Sequence, residues 1–174
     1  MTLRKIVTLP DPVLRRKARA VTAFDKNLQT LIDDMLETMR EAPGVGLAAP
    51  QVNVSERVIV VEYAEEDEQE EGQPEKPKKL YAMINPEIVK KSPETVMGVE
   101  GCLSIPNLVG EVERHALVYV RGLNRHGKPI RVKAEGWMAR IFQHEIDHLN
   151  GILFPDRATR VWQPEEEVEP EQEV

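Results

Sequence analysis

Between residues 25 and 40 the apolar side chains fall at Leu28, Leu31, Ile32, Met35, Leu36 and Met39, spacings of three and four. That period lines them up on one stripe, so the stretch predicts an α-helix with a single buried face. Ala42-Pro43-Gly44 stops it. After the glycine-rich GVGLAAPQ (44–51), the period becomes that of strands. RVIVVEY (57–63), YAMINPEIV and ETVMGVEGCLSIPN are strand-like runs, the last two separated by a turn at Ser92-Pro93. ALVYVRGLNRHGKPIRVKA alternates on either side of a turn near Asn124 to Gly127 and predicts a β-hairpin. A second helix is expected to begin near Ala134 to Gly136, to contain WMARIFQHEIDHLNGILF, and to stop at Gly151. Successive strands with one helix before and one after predict an α+β domain, with mostly antiparallel sheets packed around a central HExxH helix.

Length adds one domain to this picture: 174 residues, 41% of them hydrophobic, suffice for a proper core. Its expected span is 1–160, with 64–79 an acidic, proline-containing loop insertion and 161–174 an acidic, disordered tail. The formal charge of -7 argues against simple nucleic-acid binding, and no nucleic-acid motif is present. EEDEQEE (65–71) and EEEVEPEQEV (165–174) carry six acids each; without them 18 acids face 23 bases, so the body is mildly basic. No stretch has the apolar run of a signal peptide or the ~20 apolar residues of a membrane span, which predicts a soluble, cytoplasmic protein. The single cysteine, Cys102, rules out an internal disulfide framework and must serve packing or chemistry.

The chemistry concentrates in QHEIDHLNG (143–151). On a helix, residues i and i+4 share a face with Cβ atoms ~5–6 Å apart, so His144 and His148 can direct imidazole nitrogens at one metal ion. In such HExxH helices the intervening glutamate, here Glu145, acts as general base rather than ligand. A catalytic site needs a third protein ligand and an open position. Cys102, in the strand-like EGCLSIP, is the available thiol. His126 in the hairpin turn and His115 before a strand have no ligand spacing and are expected at the surface. In GVGLAAPQ, glycines 44 and 46 let the backbone approach a ligand closely, and an extended segment there can hydrogen-bond a peptide as an added strand.

Taken together, GVGLAAPQ (44–51), EGCLS (100–104) and QHEIDH (143–148) resemble, in order, the three signature motifs of the peptide deformylases. The likeness runs from about residue 3 to 160, omitting the insertion and the tail. It implies one divalent metal ion, ferrous iron, held by Cys102, His144 and His148. It also implies oxyanion donors at the Gln51 side chain and the Leu103 backbone N–H, and hydrolysis of the N-formyl-methionine end of newly made proteins to formate and a free amine. Residue chemistry alone fits zinc, nickel or cobalt equally well. An apolar pocket for the methionine is expected from Trp137, Arg140 and Ile141, which share the helix face of His144, with Val45 and Gly46 from the glycine segment. Arg140 departs from the aliphatic residue of many relatives; its stem can line the pocket while its guanidinium reaches water or a substrate carboxylate. Glu100 and Asp147 flank the ligands and, if buried, need a cation; Arg114 matches the family's partner for Glu100. Nascent chains imply docking near the ribosome's exit tunnel. This chain's acidic end departs from the basic helix with which some relatives dock, and leaves the mildly basic body for that role.

Two other readings compete. An HExxH peptidase uses the same helix on internal peptide bonds, but commonly takes a third His or Glu where EGCLS offers a thiol. A metal-stabilised binding module needs a closed set of four protein ligands, and no fourth is apparent.

Overall fold

The computed structural model describes residues 2–64 and 77–164. The acidic run 65–71, most of the 64–79 insertion and the acidic residues 165–174 lie outside the described residues. The first long helix, α1 (Lys26–Glu41), begins where the Asp25 side chain accepts a hydrogen bond from the Leu28 amide at 3.0 Å, leaving one fewer orphan donor in the first turn. All six residues of the predicted stripe are buried.

Five strands form one sheet in the order β1 (Gly46–Ala48), β2 (Val58–Tyr63), β3 (Lys79–Lys91), β6 (Leu117–Leu123), β7 (Pro129–Glu135). Three form a second: β4 (Thr95–Cys102), β5 (Ile105–His115), β8 (Ala158–Trp162). Every pairing between these strands is antiparallel. The unbroken apolar run of β2 follows from burial on both faces. Val58 and Val60 join the core beneath α1, while Ile59, Val61 and Tyr63 join the core beneath the second long helix, α2 (Gly136–Leu149). The sheet is thus covered by a helix on each side.

α2 also packs on β5 of the smaller sheet. Held between two sheets, it is buried at every position from Met138 to Leu149. A helix buried all round exposes no face for its polar residues, so Arg140, Gln143, His144, Glu145, Asp147 and His148 need partners inside the protein. Asn150 caps its end and Gly151 takes φ 73° in the left-handed region, as the predicted stop requires. A short helix, α3 (Phe154–Arg157), leads into β8.

Two strands differ from the expectation. ETVMGVEGCLSIPN is not one strand: the chain turns at Leu103-Ser104, and Ile105 begins β5, with Cys102 paired to Ile105 across an irregular register. β5 carries polar residues along its length and Gly110, which masks its period. β8, ATRVW, adds itself to β5 from a stretch too short and too polar to signal a strand. His126 sits in the β6–β7 turn as predicted. His115 ends β5 half-buried rather than at the surface, with Nδ1 2.8 Å from the Ser92 carbonyl.

Candidate metal and active site

Cys102 at the end of β4 and His144 and His148 on α2 bring one sulfur and two imidazoles together, with ligand atoms all within 4.8 Å of one another and all three residues buried. The His148 Nε2 lies 3.4 Å from the Cys102 sulfur. His144 Nδ1 faces Glu100 Oε1 at 2.8 Å, which turns Nε2, buried and without a protein partner, toward the cluster. An orphaned imidazole nitrogen beside a thiol and a second imidazole is a donor set suited to a transition-metal dication.

The electrostatics agree. Burial pushes His144 down, but the sulfur, Glu100 and Glu145 outweigh it and raise its pKa to about 10, so the cluster favours a cation. Burial, with the charges of His144 and Arg114, keeps His148 well below its ordinary value and therefore neutral. Glu145 is fully buried, neither oxygen has a protein partner, and burial raises its carboxyl to about 7. Strand β1 lies directly against it: a Cβ on Gly46 would stand 2.5 Å from Glu145 Oε2. The close approach expected of this glycine segment is thus to the carboxylate.

Gln51 is oriented from behind. The Ala48 amide donates to its Oε1 at 3.0 Å, which fixes the amide so that Nε2 points to Ser104 Oγ at 3.2 Å and the Cys102 sulfur at 3.6 Å. Leu103 follows Cys102 in the turn between β4 and β5. Ser104 had no signal of its own in the sequence.

Around the cluster runs an ion-pair network. Arg114 donates to both Glu100 oxygens at 2.8 Å and to Asp147 at 2.6 Å. Burial alone would raise Glu100 and lower Arg114; their hydrogen bonds win, holding the carboxyl well below and the guanidinium above its ordinary range. Two arginines that the sequence did not place here join it. Arg157 pairs with Asp147 at 2.7 and 3.0 Å. Arg140 is the correction: its guanidinium, expected at water or a substrate carboxylate, is only 4% exposed and donates to Glu100 at 2.6 Å, the Val112 carbonyl at 2.9 Å and the Val96 carbonyl at 2.7 Å. A helix with no solvent-facing side leaves the arginine nowhere else to go. Ile141 is fully buried in the α2 core, while Val45 and Trp137, half-buried, pack against it.

A helix bearing HExxH, two antiparallel sheets and a buried Cys/His/His cluster beside a buried carboxylate define a metal-dependent hydrolase. Residues 3–163 match the polypeptide deformylase family. The peptide deformylase of Symbiobacterium thermophilum is 51% identical over all of this chain and 75% of its own length. That of Halothermothrix orenii is 52% identical over 92% of this chain and 97% of its own. Among solved structures, the Thermotoga maritima peptide deformylase superposes with a TM-score of 0.80 at 42% identity, over 92% of this chain and all of that one. The chain belongs to the polypeptide deformylase family.

Proposed function

We propose that Cys102, His144 and His148 hold the metal and that Glu145 moves the protons in the reaction of this family. The chain is a metal-dependent hydrolase that removes the N-formyl group from nascent peptides. A divalent ion in such a ligand set supplies Lewis acidity, polarising the formyl carbonyl and acidifying water. The observation that carries the assignment is the pairing of an orphaned His144 Nε2 with an unpartnered, buried Glu145 in one helix turn.

Glu145 accepts a proton from the water that attacks the formyl carbon. The Gln51 Nε2–H and the Leu103 N–H donate to the oxygen that becomes negative, each such donor being worth ~3 kcal/mol. As the C–N bond breaks, Glu145 returns the proton to the leaving nitrogen, giving formate and a free amine. Its raised pKa suits both halves of this task, since a base poised near neutrality also gives its proton back. The methionine side chain is assigned to the apolar side chains of Trp137 and Val45, which are half-buried and pack on the buried Ile141, beside Gly46 of the glycine segment. Arg140 contributes no charge to that pocket. We assign ferrous iron on family likeness, with zinc, nickel and cobalt fitting the same donors. The substrates, N-formyl-methionyl nascent chains, place the work in the cytoplasm near the ribosome's exit tunnel.

The test is Glu145→Ala in protein whose metal content equals that of the wild type. Formate release should fall by about 10²- to 10⁴-fold. Retained hydrolysis with metal still bound sinks the assigned role.

A further inference from the structure

Glu100 has more cation than ion pairing requires. Arg114 alone satisfies it bidentately, at 2.8 Å to each oxygen, and neutralises its charge. That fork holds the carboxylate from the β5 side only. Arg140 approaches from another element, α2 rather than β5, at 2.6 Å to Oε2. Together with His144 on Oε1, the two oxygens then accept four hydrogen bonds, about the full capacity of a carboxylate. The same guanidinium spans β4 and β5 through the Val96 and Val112 carbonyls.

The chain has made room for it. At position 98, two residues before Glu100 on β4, a Cβ would stand 2.7 Å from the Arg140 guanidinium carbon, so any larger residue would push the guanidinium out of its present seat. On its other side the guanidinium carbon is 5.6 Å from the Trp137 ring centroid, within cation–π range.

We propose that Arg140, seated in the notch left by Gly98, is a positioning residue of the metal site: it locks Glu100 and thereby the orientation of His144. This rests on Cys102, His144 and His148 being the metal ligands. A carboxylate that cannot rotate holds His144 Nδ1 in one direction and so fixes where Nε2 points, whereas a merely neutralising arginine would leave that angle loose.

Three variants of the full chain test it with Co²⁺ as the probe, read by the visible absorption of the bound ion and by its rate of transfer to a chelator. Arg140→Met keeps the stem and removes the donors; Arg140→Lys keeps the charge without the fork; Gly98→Ala retains the arginine but pushes its guanidinium aside. Arg140→Met and Gly98→Ala are expected to release cobalt about 10- to 100-fold faster and to shift its ligand-field bands, with Arg140→Lys between them and the wild type. Wild-type spectra and release rates in Gly98→Ala and Arg140→Lys, whatever happens to melting temperature, would overturn the proposal and leave Arg140 a packing residue. These two also decide the matter if Arg140→Met fails to fold. A wild-type spectrum without the sulfur-to-cobalt charge-transfer band, unchanged in Cys102→Ser, would overturn the ligand assignment itself, a failure distinct from the other.

Discussion

A buried carboxylate with no protein partner is costly unless it stays protonated or serves a reaction, and Glu145 is that case. Its folded pKa, raised by burial to about 7, lies above the ordinary 4.5. The native state therefore binds a proton that the unfolded chain has lost, and the associated stability, full below pH 4.5, disappears as pH rises to about 7. In metal-free protein, urea unfolding should show the wild type losing up to about 3 kcal/mol relative to Glu145→Gln across that window, with no further divergence above it. Parallel curves for the two proteins would mean that Glu145 is already ionised in the fold. Gln51 makes a separate prediction. Because the Ala48 amide fixes its orientation, Gln51→Ala should lower kcat by about 10²- to 10³-fold and KM by little, measured with metal content matched. An unchanged kcat would remove it from the reaction.

At the scale of elements, the meeting of β1 with α2 positions Glu145, the proposed general base. Gly46→Ala puts a methyl 2.5 Å from Glu145 Oε2, and in a buried site the carboxylate must shift to make room. The expected result is a folded, metal-binding protein whose kcat falls at least tenfold, a shift of an ångström or so being enough; full activity would show that Glu145 tolerates displacement. Elements with a strong local period were legible in advance. The α1 stripe, the β6–β7 hairpin and the HExxH helix each repeat apolar positions within one segment, and all three formed as expected. β5 and β8 were not legible, since half-exposed strands of mixed polarity take their identity from pairing with residues far along the chain. The Cys/His/His cluster was legible because two of its three residues lie one helix turn apart. The network behind them was legible only in part. Arg114 and Glu100 were paired by family likeness, but Arg140 turning inward and Arg157 closing on Asp147 depend on tertiary burial that no spacing encodes.

The whole molecule sets one buried helix between two sheets and lets the edge strands β1 and β4 bring their residues to it. Gly46 of β1 abuts Glu145 and Cys102 ends β4, so the two sheet edges and α2 converge on one site. Edge strands can pair with an extended peptide end, which suits a substrate that is the first few residues of a new chain. No helix among the described residues is long and apolar enough to cross a membrane. The central proposal is that this fold holds a metal on Cys102, His144 and His148 in order to hydrolyse a formyl amide. Its most direct test is formate release from an N-formyl-methionyl peptide by protein purified without oxygen and of known metal content, beside Cys102→Ser and the unformylated peptide. One formate per free amine formed is expected, with a rate that collapses in Cys102→Ser and an unformylated peptide left intact. Metal-loaded protein that releases no formate, or that cuts the unformylated peptide, would contradict it.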